Sequence, residues 1–192
     1  PALTAITIDE KGFKDLKGLR IKGNFSLYCG RKPLKEEFGE IQFTENALSG
    51  IPVLNLSYLV KSSKNFVAVI DFCNEFSFDE LNNIFYDAKY KTPYFRTEEV
   101  LSGLIPQKLS YFIMKRAGIK ENTLFGKLSP KDIKLLVSNL KEAEFKICGT
   151  RDYDYSQVTC GGADGCDFNP KTLMSKKKNG LFACGELLNV NG

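Results

Sequence analysis

The chain has 192 residues, 43% of them hydrophobic and 26% charged, a balance that excludes a disordered or fibrous protein and supplies one substantial core. Its 27 basic and 23 acidic residues leave a net charge of +4 spread along the sequence, which serves solubility and does not point to nucleic acid. Histidine is absent, so Ser-His-Asp and Cys-His hydrolysis and imidazole acid-base steps are excluded, a gap that a bound redox cofactor would fill.

The first third reads as strands. Ala2 to Ile8, Leu19 to Tyr28, Glu40 to Thr44 and Phe66 to Phe72 are runs rich in β-branched and aromatic residues, bounded by Gly, Pro, Asn and Lys. From Leu19 to Tyr28 apolar and polar positions alternate, which gives a sheet with one wet face. Between the third and fourth runs, Val53, Leu56 and Val60 recur at helical spacing behind Pro52, a residue suited to a first turn, and predict a short helix over 51–60.

From residue 77 the period changes to 3.6. Ser77-Phe-Asp-Glu80 is a capping box, the cap being worth about 1 kcal/mol, and opens a helix to about Lys89. Thr97-Glu-Glu99 starts a second helix, Pro106 opens a third to Ala117 that Gly118 stops, and Ser129-Pro-Lys-Asp132 caps a fourth ending near Leu140. Leu109, Phe112 and Ile113, with Ile133, Leu136, Val137 and Leu140, form stripes that suit the core of a bundle. Strand signals resume at Glu142 to Thr150 and Gln157 to Thr159. Resumed strands need partners already made, so the pattern is α+β: a β-barrel or sandwich interrupted by a small helical bundle. The expected division is 1–76 for the first part of the barrel, 77–141 for the bundle, 142–170 for the barrel's return and 171–192 for a segment leading elsewhere.

Six cysteines (29, 73, 148, 160, 166 and 184) show neither a Cys-x-x-Cys pair nor a histidine to complete a metal cluster, so no zinc site is expected. Ile70-Asp-Phe-Cys73 and Phe145-Lys-Ile-Cys148 sit in apolar strand-like runs and predict buried thiols, a usage that suits a reducing cytoplasm. Cys160 and Cys166 flank a glycine-rich turn and are expected to be two unlinked thiols. Lys176-Lys-Lys178 lies between Ser175 and Asn179-Gly180 and reads as a solvated turn rather than a phosphate site. No signal peptide is visible and no apolar run reaches the ~20 residues that span a bilayer, so no membrane association is expected.

The last stretch carries the sharpest chemical signal. Gly180-Leu-Phe-Ala-Cys-Gly-Glu186 reads as a short apolar strand closed by Gly185 and a carboxylate, an arrangement that brings backbone and one acidic side chain against a dinucleotide's sugar chain. The complementary half of such a site, a Gly-x-Gly-x-x-Gly after an N-terminal strand, does not occur in the sequence.

Four motifs resemble signatures of one family: Gly39 to Ser57, Val158-Thr-Cys-Gly-Gly162, Pro170 to Lys176, and Gly180 to Gly192. It is the bacterial family of NAD(P)/FAD-dependent oxidoreductases that includes the flavoprotein linked to bile-acid dehydroxylation and aminoacetone oxidase. In that family a Rossmann-type FAD domain is split in sequence by an insert made of a β-barrel with a small helical bundle. Pro1 to about Cys148 resembles the insert, and the tail from about Thr150 resembles the segment returning to the FAD domain. The resemblance implies that Gly185 and Glu186 meet the flavin side of FAD, that Gly161 and Gly162 let backbone approach closely, and that Thr44, Ser49 and Gly50 line the substrate-side mouth. Asn189 stands where many members carry Asp, which leaves Glu186 to make the polar contact.

The resemblance thus implies an insert that is inactive without its FAD-binding domain, with FAD bound only in the full-length parent, NAD(P)H allowed as donor, and an unknown small-molecule substrate. A free-standing module that binds a small molecule or protein is the alternative from another class. A thiol enzyme using Cys160 or Cys166 ranks behind both, because only Lys or Arg is available to depress a thiolate.

Overall fold

The computed structural model describes residues 1–61 and 65–189. Six strands, β1 (Ile6–Ile8), β2 (Arg20–Cys29), β3 (Lys32–Phe43), β4 (Ala47–Ser49), β5 (Phe66–Asp71) and β6 (Ala143–Thr150), close a barrel in the order β1-β4-β3-β2-β5-β6. Every pairing is antiparallel. The expected α+β barrel with an inserted bundle is therefore the observed architecture. Of the two sheet arrangements the strand pattern allowed, the closed barrel is the one formed.

Period-two alternation builds the interior. Phe25 and Leu27 on β2, Ala68 and Ile70 on β5, and Phe145 and Ile147 on β6 point inward, joined by Ile6, Ile41, Phe43 and Leu48. The same alternation corrects one expectation. Cys148 follows Ile147, so it shares the outer face with Lys146 and is exposed, whereas Cys73 is buried and Cys29 half-buried.

Several strand bounds also differ. β3 is much longer than the expected 40–44: from Lys32 to Gly39 none of its side chains is buried, and the ladder with β2 extends it, with Asn24, Ser26 and Asn55 bonding its Glu36 and Glu37. β4 is only three residues, too short to show a period. The expected strand at 2–8 is ordered as a strand only over Ile6–Ile8, and that at 157–159 reduces to a single bridge between Ala2 and Val158.

Between β3 and β5, α1 (Ile51–Leu56) and the 3-10 turn Ser57–Leu59 occupy most of the expected helix. Four helices then separate β5 from β6: α2 (Phe78–Lys91), α3 (Thr97–Ser102), α4 (Gln107–Arg116) and α5 (Pro130–Lys141). Both capping boxes form, Ser77 with Glu80 and Ser129 with Asp132, each serine hydroxyl accepting from the third backbone N–H. Pro106 caps α4 from outside the helix. No helix among the described residues is long and apolar enough to cross a membrane.

Barrel and bundle share one continuous core. Phe13, in the 3-10 turn Phe13–Leu16, packs 5.5 Å from Phe43 and 5.8 Å edge-on to Phe145. Phe112 of α4 stacks on Phe145 at 6.1 Å with an interplanar angle of 11°. Removing the Phe145 ring would open a cavity at that junction, a change that typically costs about 3–5 kcal/mol. Arg116 caps the junction: its guanidinium lies 5.7 Å and 5.1 Å from the two ring centroids and 3.3 Å from the Glu10 carboxylate. A second, partly buried link is Lys141, 2.6 Å from Asp71 and donating to the carbonyls of Cys73 and Phe76.

Candidate functional site

Thr44, Ser49 and Gly50 lie together on the β3–β4 hairpin and its exit. The Thr44 hydroxyl donates to the Ala47 carbonyl at 2.8 Å and accepts from the Ala47 N–H at 3.1 Å, so it closes the turn. Ser49 ends β4 opposite Gln42. Gly50 has φ 99° and ψ 161°, and a Cβ there would stand 2.1 Å from the Glu40 carbonyl oxygen. No other residue fits at position 50, because both the dihedral and the close approach of β3 forbid a side chain. Thr44 and Gly50 therefore serve the hairpin itself, while the neighbouring Ile51 is 72% exposed.

A cleft lies elsewhere. An open space of about 540 Å³ lies along α4, lined by Asp15, Lys108, Tyr111, Lys115 and Lys120 among others. Neither this cleft nor a second of about 430 Å³ beside Glu98 includes Thr44, Ser49 or Gly50.

The tail is organised by turns. Gly180 to Glu186 does not form the expected strand: Phe182 makes one bridge to Met174, and Gly185–Leu187 is a 3-10 turn. A strand needs a continuous neighbour to pair with, and among the described residues this segment meets only isolated bridges. The Asp164 carboxylate accepts from the Cys166 N–H at 2.9 Å, which holds its pKa below the ordinary value. Lys176 donates to the Cys166 carbonyl, Lys177 pairs with Asp167, and the Ser175 hydroxyl accepts from the N–H groups of Lys177 and Lys178. The basic run is thus a turn pinned by its own backbone. Cys160 and Cys166 are both free and exposed.

Folding brings the two glycine segments together, although more than twenty residues separate them in sequence. Ala163 and Leu188 pair in parallel: the Ala163 N–H donates to the Leu187 carbonyl and the Asn189 N–H donates to the Ala163 carbonyl, both at 2.8 Å. Gly162, at φ 142°, makes this possible, since a Cβ there would lie 2.7 Å from the Leu187 carbonyl oxygen. Its lack of a side chain serves the chain's own packing. Gly161 and Gly185 differ, because no atom lies within 4 Å of where their Cβ would stand, and both present bare backbone outward beside the exposed Glu186. Gly162-Ala163 and Leu187–Asn189 therefore lie side by side, with Gly161 before the first segment and Gly185-Glu186 before the second. Leu181, Phe182 and Leu187 are exposed on the same tail, the last two at 59% and 71%.

The barrel and bundle match a known family. The model for the HI0933-like protein barrel and H2TH domain matches residues 1–158, and the chain belongs to that family, as the motif resemblance implied. It is similar to a 3-dehydro-bile acid delta(4,6)-reductase of Clostridium scindens, 31% identical over the whole of this chain and 48% of that relative. It is also similar to ribosomal RNA dihydrouridine synthases of Haemophilus influenzae, 28% identical over 95% of this chain and 43% of the relative, and of Escherichia coli, 26% identical over 78% and 36%. The chain spans about half the length, or less, of these curated relatives. The bile-acid reductase match runs through the tail, beyond the 158 residues of the family model.

Proposed function

We propose that this member of the barrel and H2TH family is the insert of an FAD-dependent, NAD(P)H-linked reductase: it covers the flavin, shapes the substrate pocket, and is inactive without the FAD-binding part of the same polypeptide. The observation that supports this reading is the pairing of Ala163 with Leu188, which brings the segment after Gly161-Gly162 beside the segment after Gly185-Glu186. Phe182 and Leu187 add apolar surface beside it, and apolar patches of that kind mark a surface that something else covers. A free-standing binding module would leave those rings and side chains in water.

The residues present suit one side of a flavin site. Gly161 and Gly185 offer backbone with no side chain in the way, and Glu186 offers an acceptor for ligand hydroxyl groups. The pyrophosphate would be held by the other part of the polypeptide, since the sequence here has no Gly-x-Gly-x-x-Gly loop. When bound, the flavin supplies hydride transfer; this chain excludes water, orients the substrate and presents polar groups at the flavin edge. The names of the relatives, a delta(4,6)-reductase and the dihydrouridine synthases, share one chemical demand, two hydrogens added across a carbon–carbon double bond conjugated to a carbonyl. We assign this chain's parent to the same reaction class. Four exposed free thiols, Cys148, Cys160, Cys166 and Cys184, suit a reducing cytoplasm.

The test uses the product of the complete reading frame, purified with its flavin. Gly185→Leu and Glu186→Ala should each lower the bound flavin measured by visible absorbance, while Lys131→Ala, on α5 of the bundle, should leave it unchanged. Full flavin occupancy in both tail variants would overturn the assignment.

A further inference from the structure

One carboxylate of the bundle lacks the partners that a buried acceptor needs. Glu98, in the first turn of α3, is only 5% exposed, and its Oε2 is buried with no hydrogen-bond partner. Its Oε1 accepts from the Asn122 N–H at 3.2 Å, where the backbone turns through φ 59°. Thr97 beside it is fully buried and bonds the Thr123 carbonyl through both its N–H and its hydroxyl, each at 2.8 Å. The carboxylate is thus held between α3 and the 120–123 loop with one oxygen left over. A buried oxygen without a donor is costly, and protonating it gives no relief, because the added O–H would meet no acceptor either. The missing partner must come from outside the chain.

Glu98 lines an open cleft of about 430 Å³ together with Glu99, Ser102 and Gln107, a volume that suits a small molecule. The charge there has one sign. No Lys or Arg lines the cleft, and neither Glu98 nor Glu99 enters an ion pair among the described residues. Each group has acceptor capacity to spare: Glu99 accepts from the Arg96 N–H through one oxygen, the Ser102 hydroxyl gives its proton to the Glu98 carbonyl at 2.7 Å and keeps its lone pairs, and Gln107 carries an amide oxygen. Among the described residues no group of three acidic, histidine or cysteine side chains could hold a metal, so a divalent ion, which takes about six oxygens, fits poorly. No aromatic ring lines the cleft to receive a quaternary ammonium. What the acceptors match is a cation that brings its own N–H donors.

We propose that this cleft binds a primary aliphatic amine, whose ammonium group donates to the free oxygen of Glu98, to Glu99 and to Gln107. The site lies on the bundle, uses none of the tail residues and is independent of the reductase reading.

The test is isothermal titration of the intact protein with 1,4-diaminobutane at low salt. Wild type should bind one equivalent saturably. Glu98→Gln keeps an acceptor for the Asn122 N–H but removes the charge, and should weaken binding about tenfold, the order expected for one charge-assisted hydrogen bond. Gln107→Leu changes an exposed side chain, so it should melt with the wild type and still bind several-fold more weakly. Lys131→Ala, on α5, should bind as wild type does. Tetramethylammonium, a cation with no N–H, should not compete. Absence of diamine binding, Glu98→Gln and Gln107→Leu variants that bind like wild type, or equally tight binding of tetramethylammonium would overturn the proposal and leave the Glu98 oxygen to water.

Discussion

Gly50→Ala is the substitution that most sharply separates a structural glycine from a substrate-side one. The residue sits at φ 99° and ψ 161°, a region open essentially to glycine, and holding alanine there costs about 1–3 kcal/mol. The added Cβ would lie 2.1 Å from the Glu40 carbonyl oxygen, 3.1 Å from its carbon and 3.3 Å from the Gln42 nitrogen. These are backbone atoms of β3 and cannot rotate aside, so α1 or the strand must move, and overpacking of this kind costs about 1–3 kcal/mol more. The sum is about 2–6 kcal/mol, or about 4 to 24 °C in melting temperature for a chain of this size. Urea unfolding followed by far-UV circular dichroism measures it, with Ser49→Ala as the neighbouring control, expected within about 0.5 kcal/mol of wild type. A Gly50→Ala variant as stable as the control would refute the packing derived for the hairpin.

Lys141→Met should destabilise by about 1–3 kcal/mol in the same assay, because it removes the partner of the Asp71 carboxylate and of the carbonyls of Cys73 and Phe76; adding Asp71→Asn should recover part of the loss, and a cost below about 0.5 kcal/mol would contradict the link. Burial raises the Glu10 pKa above 4.5, with Arg116 offsetting only part of the effect. The protonated form is thus favoured by folding, so this group's contribution is present below 4.5 and lost as pH rises through the raised folded value. Glu10→Gln should flatten stability against pH across that window, and identical slopes in the two proteins would exclude the assignment. Burial and the nearby Asp71 push the Cys73 thiol up to about 11, so thiol titration of the native protein should modify the exposed Cys148, Cys160, Cys166 and Cys184 while Cys73 stays protected. Equal rates at Cys73 would show that the junction opens.

What the sequence discloses is what is local. Ser77 with Glu80 and Ser129 with Asp132 declare their helices because the cap and its partner are three residues apart. β2 declares itself because Phe25 and Leu27 enter the core while Asn24 and Ser26 before and between them do not. The first half of β3 is silent, since it buries no side chain and is held by the ladder with β2 and by polar contacts, and Cys148 misleads because one residue of register moves a side chain from core to solvent. The candidate site divides the same way. Motif resemblance points to Gly161, Gly162, Gly185 and Glu186, but the approach of their two segments depends on a parallel bridge between Ala163 and Leu188 that spacing does not reveal. It also cannot distinguish Gly162, required by the chain's own packing, from Gly161 and Gly185, which face outward.

The most direct test of the flavin assignment is titration of FAD, followed by its fluorescence, into this 192-residue chain and into the product of the complete reading frame. If the tail face is one side of a site completed by another part of the polypeptide, only the longer product binds and turns yellow. Tight binding of FAD by the shorter chain alone would contradict that account.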